Sequence, residues 1–137
     1  MNTAALISDG LSLPGKALAV GADGKPVLIG CVCGACGQRM FPAAPVCPTC
    51  MGEAMTPEPM PRQGSLYSFT TVHVGPSAWQ KPFTVGYVDL NNGVRVFSHL
   101  RGADLKINQS VELAVAEIGR TPDGKPIITS VFQKVPA

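Results

Sequence analysis

The sequence predicts a mainly β protein in two parts, a small ribbon stapled by one metal ion and a five-stranded barrel. Three observations carry that expectation. Cys33, Cys36, Cys47 and Cys50 are spaced C-x2-C, ten residues, C-x2-C. That pattern lets two knuckles clamp one tetrahedral metal in a segment too short to fold on buried apolar area. From Gly64 onward, short β-branched, aromatic and aliphatic runs alternate with turn-forming residues. Finally, 137 residues suffice for one medium core or for a metal-stapled minidomain plus a small barrel. The cysteines cluster ahead of the apolar alternation, which favours the second arrangement.

Taken in order, residues 1–29 form an N-terminal segment with room for a short amphipathic turn or helix around Ala4 to Ile7, broken by Gly10, Pro14 and Gly15. Leu18 to Val20 and Val27 to Val32 are β-prone runs flanking Asp23-Gly24-Lys25-Pro26, a hairpin signal that feeds the metal site. The ribbon is expected over residues 30–60, with a short strand and a Pro-rich loop between its knuckles. Pro48, Pro57, Pro59 and Pro61 make a helix improbable from Met51 to Gln63, so this stretch reads as a connector, with the module boundary near 57–64. Over 64–135 the five strands centre on Leu66–Val74, Phe83–Leu90, Val94–Phe97, Val111–Ile118 and Ile127–Val135. Asn92-Gly93 and Asp123-Gly124 supply turns. Five strands of this length fit an OB-type barrel, whose closure removes exposed sheet edges.

Four thiolates satisfy zinc, which has no geometric preference of its own, and they close its coordination shell. A closed shell leaves no position for water or substrate, so the metal is expected to be structural rather than catalytic. Iron in the same four sulfurs, or a redox dithiol pair, are the alternatives. The two knuckles differ in sequence, since the first is followed by Gly37 and the second contains Pro48. Four thiolates around Zn2+ carry a formal charge of about −2, which backbone amides or Arg39 can offset. Cys31 forms C-x-C with Cys33 and is either a strand cysteine or an exchange partner for it.

The formal net charge is only +2, with eleven Lys and Arg spread among nine Asp and Glu. No basic stripe accompanies the aromatics, so duplex binding is disfavoured. Met1 to Gly15 lacks a basic start followed by an apolar run, and no apolar stretch reaches membrane-spanning length. The expected compartment is the reducing cytoplasm, where paired C-x2-C sets bind metal.

Cys33-Gly34-Ala35-Cys36-Gly37, Phe41-Pro42, Cys47-Pro48-Thr49-Cys50 and Gly64-Ser65-Leu66-Tyr67-Ser68-Phe69-Thr70-Thr71-Val72-His73 carry a family resemblance. It continues through Pro82–Leu90 and Gly93–Leu100. The chain resembles the acyl-CoA-associated proteins that join a rubredoxin-like zinc ribbon to an OB-fold, long catalogued as a domain of unknown function. The resemblance covers about residues 30 to 135. It departs at Ala43-Ala44-Pro45, where relatives often carry proline then arginine, and at Asn108-Gln109, where a glycine-centred turn is common. Asparagine tolerates the left-handed conformation, so the fold survives the second change.

The resemblance implies a non-catalytic subunit, with one structural Zn2+, of a hetero-oligomer whose thiolase-like catalytic partner holds the nucleophile and the acid–base groups. That complex would cleave a β-ketoacyl-CoA thiolytically or form it, and this chain would help enclose coenzyme A or acyl-CoA. An acyl-CoA hydratase partner is the variant reading. No catalytic residue is expected in the chain itself, because no spacing joins Cys31 to His73 or His99 as nucleophile and base. Candidate contacts with CoA or the partner are Trp79 and Lys81, in the loop Gly75–Pro82, together with Arg39, Phe41 and His73. Each has a plainer role available: Trp79 as a barrel cap, Lys81 as a solvated charge, His73 as a strand end. Arg95, Arg101 and His99 read as ordinary surface or structural residues. A rival class is a single-stranded nucleic-acid-binding OB module that stacks bases on Tyr67, Phe69, Trp79 and Phe97. A scaffold using the ribbon only for protein contact is the third.

Overall fold

The computed structural model describes residues 18–135, and the short helix expected around Ala4 to Ile7 lies outside them. Nine strands and no helix are described. The first four, β1 (Leu18–Val20), β2 (Pro26–Cys33), β3 (Arg39–Met40) and β4 (Met55–Pro59), make one small antiparallel sheet around β2. The hairpin signal at Asp23-Gly24 corresponds to the β1–β2 turn, with Leu18 opposite Leu28 and Val20 opposite Pro26. Asp23 and Arg62 brace that turn, joined by two hydrogen bonds of 2.9 Å while the Arg62 Nε–H donates to the Pro26 carbonyl.

The proline-rich stretch read as a connector contains a strand instead. β4 pairs with β2 from Ile29↔Pro59 to Cys33↔Met55. It tolerates its prolines because they alternate: the Met60 N–H donates to the Leu28 carbonyl at 2.8 Å, and the even-numbered positions before it share that orientation. Pro57 and Pro59 therefore turn their missing donors away from β2, toward an edge that is unpaired among the described residues.

The remaining strands are β5 (Gln63–Val72), β6 (Phe83–Leu90), β7 (Arg95–Arg101), β8 (Ser110–Arg120) and β9 (Pro126–Lys134), and they close into a barrel in the order β5-β6-β7-β9-β8. All pairings are antiparallel except β7 with β9, where His99 lies opposite Val131. This is the five-stranded OB-fold. The first strand stops at Val72, earlier than its apolar run suggests, and Val74 is 89 % exposed. The Asn108-Gln109 departure is absorbed as its chemistry allows. Asn108 sits at φ 68°, its N–H donates to the Leu66 carbonyl, and the Leu66 N–H donates to the Gln109 carbonyl.

The two parts share one core. Leu18 and Leu28 from the ribbon sheet and Met60 from the crossing segment pack in the same buried cluster as Leu66, Val88, Val96, Val111 and Phe132 of the barrel. Phe41, on the loop between the knuckles, packs half-buried against it. Burial of this apolar area couples ribbon and barrel into one cooperative unit. Leu28 is only 2 % exposed. Leu28→Ala should therefore cost about 2–5 kcal/mol and shift a single urea transition seen by both zinc release and far-UV signal. Two separated transitions would show that the ribbon and barrel unfold independently.

Candidate metal centre and seam groove

The knuckles differ in sequence but repeat one backbone path. In the first, the Gly37 N–H donates to the Cys33 carbonyl at 2.9 Å and the Cys33 N–H donates to the Gln38 carbonyl at 2.9 Å. In the second, the Met51 N–H donates to the Cys47 carbonyl at 2.9 Å and the Cys47 N–H donates to the Gly52 carbonyl at 2.8 Å. Gly37 has φ 80° and Met51 has φ 66°. The second knuckle thus places a methionine, 73 % exposed, in the left-handed conformation that glycine adopts freely. The asymmetry visible in sequence is absent from the geometry.

These paths converge the four sulfurs. Cys33 and Cys50 Sγ are 3.6 Å apart, as are Cys36 and Cys47, and all four lie within 4.8 Å of one another. A tetrahedron with Zn–S bonds of about 2.3 Å has edges of about 3.8 Å, so a zinc ion fits the space and the donor set. Without a cation the group cannot ionise fully. Backbone N–H groups of Cys36 and Ala35 hold the Cys33 thiol down at about 6, and amides of Cys50 and Thr49 lower Cys47 despite its burial. Cys36 is pushed up to about 12: the Gln38 amide favours its thiolate, but the neighbouring sulfurs, Cys47 first, and burial outweigh that help. A divalent ion removes the conflict, and the same amides remain to stabilise the sulfurs. Arg39 does not take part, since its Nε–H donates to Glu58 at 2.7 Å across the ribbon. Cys31 stays outside the quartet, a buried strand residue opposite Met40 and Pro57 with its sulfur 4.0 Å from the Ala44 carbonyl.

The loop Gly75–Pro82 is fixed to the barrel rather than free. Trp79 bridges to Gly119, the Gln80 N–H donates to the Ile118 carbonyl and the Arg120 N–H donates to the Ala78 carbonyl, both at 2.8 Å. Gly119 permits this approach because a methyl there would run into the Ala78 carbonyl. Trp79 stacks edge-on against Phe83 and His99, with ring centroids 5.3 and 5.0 Å away. Lys81 Nζ donates to the carbonyls of Pro76 at 2.6 Å and Trp79 at 3.1 Å, so its ammonium shapes its own loop. His73 is exposed just past the end of β5.

Phe41 and Trp79 meet at the seam between ribbon and barrel, where they border a groove of about 520 Å³ shared with Phe97, His99, Thr129 and Ser130. In the sequence His99 reads as a structural residue, and Thr129 and Ser130 carry no signal. The alternation of β7, which puts 97 and 99 on one face, was the available signal. Burial lowers the His99 pKa and keeps its imidazole neutral at pH 7. A second cleft, holding Arg101 and Glu117, shares His99 with it. On the outer barrel face Tyr67, Tyr87 and Phe97 are exposed, and Arg95 lies 3.6 Å over the Tyr67 ring while paired to Asp89 at 2.6 and 3.1 Å.

A closed four-thiolate ribbon continuous with an OB barrel defines a metal-braced binding module. The chain belongs to the ChsH2 family: the family's rubredoxin-like zinc ribbon domain matches residues 22–56 and its C-terminal OB-fold domain matches residues 57–116. It is 38 % identical over 117 residues to benzoylsuccinyl-CoA thiolase subunit BbsA of Thauera aromatica, covering 83 % of this chain and 81 % of that protein. The BbsA subunit of Geobacter metallireducens is 34 % identical over 114 residues, with 82 % and 77 % covered. Among solved structures, a chain of the Ltp2-ChsH2(DUF35) aldolase superposes with a TM-score of 0.64 at 27 % identity, covering 79 % of this chain and 84 % of that one.

Replacing any one of Cys33, Cys36, Cys47 or Cys50 by serine should reduce metal, measured by elemental analysis of the purified protein, from about one zinc per chain to a small fraction. Cys31→Ser should retain it. Loss of zinc from the Cys31 variant alone would overturn this ligand assignment.

Proposed function

We propose that the chain is the non-catalytic, zinc-binding subunit of a thiolase complex, supporting thiolytic cleavage or formation of a β-ketoacyl-CoA by stabilising the catalytic subunit and helping to enclose coenzyme A. The observation that carries this reading is the match along most of both chains to thiolase subunits, in a fold whose metal shell is closed. Zinc in such a shell contributes folding energy and offers no vacant position to polarise a substrate. The chemistry then belongs to the partner, where an activated nucleophile and its base can be placed together.

In this reading residues 30–60 supply the metal-braced ribbon and residues 64–135 the barrel, with Phe41 and Trp79 presented at their seam. These two are the strongest candidates for contact with acyl-CoA. Lys81 acts indirectly, by holding the Trp79 loop through its two carbonyl contacts. Arg39, already paired with Glu58, and exposed His73 are assigned to the rim facing the partner, where polar groups tune specificity more than affinity.

Likeness to the Ltp2-ChsH2(DUF35) aldolase favours one second reading, a partner that breaks a carbon–carbon bond by aldol cleavage rather than by thiolysis. The two reactions differ in their products: thiolysis consumes free CoA and yields two thioesters, whereas aldol cleavage releases a carbonyl compound without consuming CoA.

Affinity purification of the chain from its native cells should recover a thiolase-like catalytic subunit in fixed proportion. Omitting the chain from the reconstituted complex should lower β-ketoacyl-CoA cleavage by about ten-fold or more, equivalent to about 1.4 kcal/mol of barrel-assisted transition-state stabilisation. Full activity and stability of the larger subunit alone would refute the accessory role, and CoA-independent cleavage would select the aldolase reading.

A further inference from the structure

The groove at the seam has a chemical character that narrows what it can hold. Its volume is about 520 Å³, within the range of about 300–1,000 Å³ usual for small-molecule sites. Phe41 from the ribbon and Trp79 and Phe97 from the barrel give it aromatic surfaces. Among the described residues no Lys, Arg, Asp or Glu lines it, and the one titratable ring there, His99, is kept neutral by burial. Thr129 and Ser130, adjacent on β9, are the only buried polar side chains among the described residues, and both border this groove. Side chains alternate along a strand, so Thr129, on the face of β9 that it shares with Val131 opposite His99, is the hydroxyl turned to the groove.

We propose that this groove binds the uncharged acyl or aryl end of a thioester, with the hydrocarbon against Phe41, Trp79 and Phe97 and the thioester carbonyl accepting from the Thr129 hydroxyl. The proposal rests on the reading of the chain as an acyl-CoA enzyme subunit and deepens it by stating which part of the ligand this chain recognises. The nucleotide end of coenzyme A is excluded from the groove by charge, because its phosphates would enter a low-dielectric hollow with no cation to pair with. The acyl end carries no such penalty. Space is ample, since an apolar cavity of about 150 Å³ already admits benzene.

Trp79 is the only tryptophan in the chain and borders the groove, so its fluorescence reports occupancy directly. The full-length zinc-loaded chain would be titrated with S-benzoyl- and S-hexanoyl-N-acetylcysteamine, and in parallel with free N-acetylcysteamine and with free CoA. Both thioesters should give a saturable change with Kd below about 1 mM, while the two ligands lacking an acyl group should bind at least about ten-fold more weakly. Phe97 is 60 % exposed, so Phe97→Ala removes one surface of the groove without emptying the core. Thr129→Val removes a hydroxyl at nearly constant shape. Each should weaken thioester binding by about five-fold or more, at unchanged zinc content and melting temperature.

Absence of saturation by either thioester, equal binding of N-acetylcysteamine, or undiminished affinity in both variants would overturn the proposal. Because the titration needs no partner subunit, its failure is distinct from failure of the accessory role. A chain that captures a catalytic subunit yet gives no titration loses only the groove. One that titrates but captures nothing keeps the groove and loses the subunit reading.

Discussion

Bringing four cysteine sulfurs within 4.8 Å of one another is unfavourable unless a cation stands among them, because each ionised thiol opposes the ionisation of its neighbours. Backbone N–H groups of Cys36 and Ala35 hold Cys33 near 6, whereas Cys36, crowded by the other sulfurs, is driven to about 12. A divalent ion resolves it, and the geometry of the ribbon follows. Closure ties the end of β2 to the loop between the knuckles and to the segment entering β4, so β2 is gripped on both sides. A strand so held can deliver Leu28 into the barrel core and keep Phe41 against it. The seam groove therefore depends on an ion whose ligands do not line it.

The barrel contributes the other half of the seam by immobilising a loop that its composition would leave free. Gly75–Pro82 has the glycine and proline content of a mobile connection, yet pairing with Gly119 and the carbonyls of Ala78 and Ile118 fixes it along β8. The indole then packs against Phe83 and His99, an arrangement in which little side-chain entropy remains to be lost on ligand binding. Lys81 completes the loop from within. A lysine that would otherwise be placed on a phosphate is occupied by two backbone carbonyls.

What the sequence disclosed was set by the range of the interactions involved. The cysteine quartet and the five barrel strands were legible, because ligand spacing and two-residue alternation are local signals. Asn108 was legible for the same reason, its turn chemistry being a property of one residue. β4 was not, since prolines at 57, 59 and 61 argue against a strand until their alternation is matched to an unpaired edge. Arg39 and Lys81 were recognisable as cations, but their engagement by Glu58 and by the loop carbonyls is a tertiary fact. Thr129 and Ser130 gave no signal, because two hydroxyl residues in an apolar strand acquire meaning only when Trp79 and Phe41 arrive from distant parts of the chain.

The proline-bearing strand β4 also governs how this molecule can meet another. Closure engages every barrel strand on both sides over part of its length, and among the described residues β4 is an outer strand of the ribbon sheet, paired only with β2. On β4, Pro57 and Pro59 delete alternate donors from that edge, and an incoming strand would find carbonyls with no N–H between them. At β4 a partner is thereby denied the strand-addition route, along with the fibrous assembly it permits. At this edge association is left to side-chain surfaces, which are selective for shape and can be separated without unravelling a sheet.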